Sequence, residues 1–296
     1  MSDILFVIAY HLLHYRQRVT RMNLAKAYPQ LDDSRRRQIE VAYYHHICDL
    51  LVEGVYNLYA SPQSIMKRYR FVNREVVNRY YERGQSVVLM SAHYNNWEYM
   101  ITSLGYQVMH HGVGVGKPLQ DKALANFITR RRGRYGTEIV DQHTVRQTME
   151  FYQQHRVPVA YMMLSDQSPN DVHKSYWTLF MNQETPFIYG AEYFARKYNM
   201  PVLYYEVTKV RRGRYEVRFT PLCENPAEVP QYTITSRYIS MLADTINRQP
   251  EYWLWSHRRW KRIRPHDMPL MPPAHPSATP GTNHDSLRQH DTPMTS

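Results

Sequence analysis

The sequence predicts a single α/β domain with a central sheet, mostly parallel or mixed, flanked by helices. Three observations predict it. Short apolar runs such as "SVVLMSA" and "VPVAYMML" read as buried strands, because a strand covered on both faces needs no polar alternation. Between such runs lie segments with apolar residues three and four apart, the helical period. The two kinds of segment alternate, as they do when helices wrap a parallel sheet. With 296 residues, 43% of them hydrophobic, the chain is long enough to close a substantial core.

The elements follow in order. "DDSRRRQIEVAYYHHICDLLVEGVYNLYA" opens on capping residues, and Ile39, Tyr43, Ile47, Leu50, Leu51, Val55 and Leu58 then recur at helical spacing. "SVVLMSA" is a buried strand, and Asn95 and Asn96 look like caps of a helix running through Trp97, Met100 and Ile101. "YQVMHHGVGVGK" is a strand with a glycine-rich exit. A helix is expected from about Asp121 to Gly133 or Gly136, and another over "TVRQTMEFYQQH". "VPVAYMMLSDQ" is a strand and "YGAEYFARKYN" a helix. "MPVLYYEVTKV-RRG-RYEVRFTPL" reads as a hairpin. "TITSRYISMLADTINRQ" is the closing helix. From His266 onward Pro, Ser, Thr and His dominate without periodicity, so residues 266–296 are expected to be a disordered tail.

The chain is basic, with a formal charge of +11, and carries 26 Tyr and 5 Trp. Such a surface attracts anions, whether lipid head groups, nucleic acid or acidic proteins. Two isolated cysteines, Cys48 and Cys223, imply no disulfide framework. The apolar run "ILFVIAYHLLHY", residues 4–15, is too short to span a bilayer and is followed by Arg16, Arg18 and Arg21. It suits either a helix packed on the domain or one lying at a membrane surface.

His93 sits just past the strand "SVVLMSA", where α/β proteins place their sites, and Glu98 follows in the first turn of the next helix. A carboxylate there suits an imidazole that must take a proton, by holding one ring nitrogen while the other works. The same spacing also fits a capping box from Asn95 to Glu98. Asp166 and Gln167 leave the end of another buried strand, again a site position or turn chemistry. Lys117 and "RRRGR", with Arg132 and Arg134, suit an anionic ligand or the solvated end of a helix. "WLWSHRRWKR" interleaves aromatics with cations, as a core segment, a membrane surface or a nucleic-acid platform would. No ligand cluster has metal spacing.

"SAHYNNWE" resembles the histidine–four residues–acid motif of the glycerolipid-type acyltransferases. More closely, the chain resembles the lipid A biosynthesis acyltransferases of Gram-negative bacteria, from about Tyr10 to Arg264. "YHLLHYRQRVTRMNLAKAYP", "GKPLQDKALANFITRRRGRYGTEIV", "VAYMMLSDQSP" and above all "PEYWLWSHRRWKRIRP" are similar to the family's blocks.

The resemblance implies an acyltransferase domain over residues 1–265, with His93 as general base and Glu98 as its partner. It implies substrate contacts at Lys117, Arg132, Arg134, Asp166 and Gln167, and the backbone amides near Asn96 and Trp97 are candidates to hold the oxyanion of a thioester under attack. The implied donor is an acyl carrier protein thioester, the acceptor a hydroxyl of a lipid A precursor, and no cofactor or metal is needed. Acyl transfer to another membrane glycolipid or aminolipid would use the same residues. A non-catalytic basic module would instead bind membrane or nucleic acid without His93. The implied place is the cytoplasmic face of the inner membrane. Family members carry a longer hydrophobic N-terminus, so residues 1–30 are expected to be either truncated or peripherally membrane-proximal.

Overall fold

The computed structural model describes residues 1–116 and 136–272. Its centre is a seven-stranded sheet. The strands are β1 (Tyr69–Phe71), β2 (Val87–Ser91), β3 (His111–Gly116), β4 (Thr137–Asp141), β5 (Val159–Leu164), β8 (Val202–Arg211) and β9 (Arg214–Cys223). Their order is β1-β9-β8-β2-β5-β3-β4. Neighbours run parallel except β8 and β9, which form the expected hairpin. A separate antiparallel pair, β6 (Ser175–Phe180) and β7 (Gln183–Ile188), stands beside the sheet.

Both faces of the sheet are apolar, and alternate residues explain it. Val88, Met90, Tyr161, Met163, Val202 and Tyr204 point to one face. Their neighbours Leu89, Ala160, Met162, Leu203 and Tyr205 point to the other. The first face is covered by α3 (Asp33–Tyr59), α7 (Val145–Gln154), α8 (Gly190–Lys197) and α9 (Thr233–Arg248). The second is covered by α4 (Pro62–Arg68), α5 (Glu75–Tyr81) and α6 (Glu98–Gln107). A chain that buries two sheet faces has no use for polar alternation, hence the unbroken apolar runs.

The N-terminus is α1 (Ser2–Phe6), a π-helical stretch over Val7–Leu12 and α2 (Gln17–Ala27). Asp32 caps α3, its side chain accepting from the Arg35 amide at 2.6 Å. No helix among the described residues is long and apolar enough to cross a membrane.

Three expectations change. Asn95 is not a helix cap: it takes φ 52°, and its side chain donates to the Val207 carbonyl at 2.7 Å. The β6–β7 pair was not expected. Its turn uses Met181 and Asn182 at φ 50° and 61°, without the glycine that normally marks such a turn. The chain also stays attached past residue 265, because the Met271 amide donates to the Trp177 carbonyl at 2.8 Å. The helix expected from Asp121, and residues 273–296 of the expected tail, lie outside the described residues.

Candidate active site

β2 and β5 lie side by side, parallel and in register, with Ser91 opposite Leu164. The Ser165 amide extends the pairing by donating to the Ser91 carbonyl at 3.1 Å. Two positions beyond these strand ends stand His93 and Asp166, so the register itself brings them together. His93 Nδ1 lies 2.7 Å from Asp166 Oδ1, and the His93 backbone amide donates to Oδ2 at 3.1 Å. The carboxylate on the ring is therefore Asp166, where the sequence reading gave that part to Glu98. Strand adjacency decides this: Glu98 is five positions along the chain, whereas Asp166 is across a single strand gap.

A third donor completes the carboxylate. Trp253 Nε1 donates to Asp166 Oδ2 at 3.0 Å. Asp166 is 3% exposed, and its burial is the largest single influence, acting to raise its pKa. The charge of His93 and the bonds from His93 and Trp253 outweigh it, so the pKa falls below the ordinary carboxylate range. An ionised Asp166 fixes the proton on Nδ1 and leaves the Nε2 lone pair of His93 for chemistry. Gln167 Nε2 sits on that nitrogen at 3.0 Å. The ring is 17% exposed and packs edge-on against Trp97, with centroids 5.2 Å apart.

The loop from 92 to 97 is clamped from the far end of the chain. The Asn95 amide donates to the Tyr252 carbonyl at 3.0 Å, and the Tyr94 hydroxyl to the Gln249 carbonyl at 3.0 Å. Asn96 is the side-chain cap of α6, accepting from the Tyr99 amide at 3.0 Å. Its Nδ2 donates to Glu53 Oε2 at 2.6 Å, and the Tyr215 hydroxyl reaches the same oxygen at 2.8 Å. Burial pushes the Glu53 carboxyl up, against these two bonds. The Asn96 side chain is thus buried and engaged at both ends. What Asn96 offers a ligand is its backbone amide. The amides of Asn96 and Trp97 have no acceptor among the described residues. Nor does the capping box form, since Asn95 Oδ1 is unpartnered among the described residues. Glu98 is half-buried and opens α6.

The closing block is mostly interior. Trp253 and Trp255 are buried, which removes them from any membrane or base-stacking surface. Asn23 donates to the carbonyls of Trp255 and His257, both at 2.8 Å, which ties α2 to the block. Arg259 is 1% exposed, donates to the Pro186 carbonyl at 2.7 Å and lies 4.7 Å from the Phe187 ring centre. Burial pushes its pKa down to about 10, partly offset by the charge of Asp166. Burial likewise pushes His257 down to about 4.

Sequence reasoning missed Trp253 as a donor to Asp166, and Glu53 as the anchor of Asn96. Neither carries a local signal, for their partners are 87 and 43 positions away. Lys117, Arg132 and Arg134 lie outside the described residues.

The family profile described as bacterial lipid A biosynthesis acyltransferase matches residues 4–262. The chain belongs to that family. Comparison with curated proteins gives no match. As a lipid A biosynthesis acyltransferase, the protein is a transferase with a lipid acceptor, and its sheet is the one expected. In this acyltransferase the histidine of "SAHYNNWE" and the aspartate of "SDQSP" form one hydrogen-bonded unit.

Proposed function

We propose that the protein moves a fatty acyl chain from an acyl carrier protein thioester to a hydroxyl of a lipid A precursor, with His93 as general base. Its proposed place of work is the cytoplasmic face of the inner membrane. The observation that carries the reading is the 2.7 Å contact of His93 Nδ1 with an ionised, buried Asp166.

A hydroxyl is a weak nucleophile until its proton is taken. His93 Nε2 takes that proton, and the alkoxide oxygen bonds to the thioester carbonyl carbon. The resulting oxyanion needs donors aimed at it, and the unengaged amides of Asn96 and Trp97 are suited to that part. Collapse breaks the carbon–sulfur bond. The leaving thiolate takes the proton from the imidazolium, giving an ester and the free carrier thiol. Asp166 holds the ring and favours the imidazolium that forms between the two proton transfers. Gln167 occupies Nε2 at rest, so it must yield that position to the incoming hydroxyl.

Glu98 keeps a part as a second acid at the start of α6, orienting a reactant instead of the ring. For Lys117, Arg132 and Arg134 the proposed role is holding the phosphates of the acceptor. Direct transfer needs no acyl-enzyme, and both cysteines are buried with thiols pushed up by burial.

The test is an assay of purified protein with a tetra-acylated lipid A precursor and a ladder of acyl carrier protein thioesters, read by product mass. His93→Ala should abolish turnover in a folded protein. Near-normal turnover in that variant refutes the assignment.

A further inference from the structure

Buried polar side chains line one face of the second half of α3. His46, Asp49, Glu53 and Asn57 follow at steps of three and four, so they share a stripe, and all are buried. Each meets a support of the loop over residues 92–97. The His46 ring stands edge-on to Tyr252, with centroids 4.7 Å apart, and the Tyr252 carbonyl takes the Asn95 amide. Asp49 accepts from Lys209 at 3.1 Å and from Arg212 at 2.6 Å. These cations stand at the end of β8, the strand whose Val207 carbonyl takes the Asn95 side chain. Asn57 accepts from Thr102 of α6 at 3.0 Å. Glu53 reaches the loop itself, at Asn96.

A buried carboxyl is costly, and what Glu53 returns for that cost is orientation. An asparagine side chain has an acceptor end and a donor end. Asn96 Oδ1 must accept from the Tyr99 amide for the cap of α6 to form, so Nδ2 must find an acceptor elsewhere. Glu53 Oε2 is that acceptor, and the Tyr215 hydroxyl donates to the same oxygen and holds it in place. A side chain fixed at both ends fixes the backbone that carries it. The amides on that backbone, those of Asn96 and Trp97, have no acceptor among the described residues.

We propose that Glu53 is a positioning residue for acyl transfer: through Asn96 it sets the direction in which the Asn96 and Trp97 amides meet the oxyanion. Glu53 touches no reacting atom. Its effect falls on the transition state, because donors held in place before charge develops cost no reorganisation when it does. The inference rests on the reading that His93 serves acyl transfer and that these two amides receive the oxyanion.

Steady-state kinetics and thermal melts on full-length variants test it. Glu53→Leu removes the acceptor, and Glu53→Asp stops one methylene short of Asn96. In both, kcat should fall at least about tenfold, part of the ~10²–10³-fold cost of deleting an oxyanion donor, with KM for either substrate unchanged. Glu53→Gln keeps an oxygen for Asn96 and should hold kcat within about threefold of wild type. Tyr215→Phe removes the second donor and leaves the Asn96 bond, so it should lower the melting temperature without lowering kcat. Where Glu53→Leu fails to fold, Glu53→Asp decides. Near-normal kcat in either variant overturns the proposal, as does a loss confined to KM. Equal kcat losses in Tyr215→Phe and Glu53→Asp also overturn it, because they would reduce Glu53 to packing. His93→Ala, run beside them, tests the general-base reading by itself: near-normal turnover there refutes that reading, whatever the Glu53 series gives.

Discussion

His93 has a carboxylate on one ring nitrogen and an amide on the other, and each predicts a different defect. Asp166→Asn keeps the shape but loses the charge that favours the imidazolium. Its kcat should fall by about 10²–10⁴-fold, the range of a positioned acid–base device, in a protein that still folds. Gln167→Ala removes only the resting partner of Nε2, so kcat should stay within about tenfold, with any change concentrated in KM for the acceptor. Single-turnover and steady-state assays on the two variants decide between these parts, and Glu98→Gln alongside them tests the second acid. If Glu98→Gln alone were inactive and Asp166→Asn near normal, the ring would be braced by the wrong residue in this account. Trp253→Phe loses one hydrogen bond to a buried carboxylate, worth about 1.5–3 kcal/mol, and should lower both thermal stability and kcat. His93 and Asp166 were legible in the sequence because each follows an apolar run at a strand end. Their pairing was not, because it depends on which strands become neighbours. Trp253 was visible only as part of an aromatic, basic block, and nothing local says that its indole faces a carboxylate.

At the level of elements, the start of α6 is the joint on which the loop turns. Asn96 caps the helix with Oδ1 and satisfies Glu53 with Nδ2. Asn96→Ala therefore removes a cap, worth about 1 kcal/mol, and strips a buried carboxyl of one of its donors, worth a further 1–3 kcal/mol. Urea unfolding should show a loss of roughly 2–4 kcal/mol with little change in slope. A loss confined to about 1 kcal/mol would mean that Glu53 finds another donor. The unbroken apolar strands β2 and β5 and the periodic helices α3 and α9 were legible. Two kinds of element were not. β1 is only three residues long, too short for a pattern. The β6–β7 turn is made by Met181 and Asn182, and a non-glycine pair at positive φ gives no turn signal.

For the whole molecule, the buried His46 and His110 and the half-buried His257 contribute to acid stability. Burial pushes His46 down to about 3, and His110 and His257 down to about 4. Unfolded, they take a proton near pH 6.5. Between that value and about 4 the unfolded chain binds more protons, so stability falls as the pH drops through this window. At pH 5, above the folded pKa of each, the loss through His46 is up to about 2 kcal/mol and that through His110 is similar, while the half-buried His257 contributes less. Glu53, whose carboxyl is raised by burial, works in the opposite sense. Thermal melts from pH 7.5 to 5 should show a falling midpoint, and His46→Gln should flatten it. Asp166 does not share in this loss, because its pKa is lowered and its contribution disappears only in stronger acid.

One consequence of the clamp has a bearing on biosynthesis. The proton acceptor is supplied by the second strand of the sheet, its carboxylate by the fifth, and the last indole on that carboxylate by a segment near the chain's end. A ribosome must have released the chain past Trp253 before these three can meet. A growing chain whose Trp253 segment has not yet docked holds that carboxylate one donor short, and so braces the imidazole less firmly.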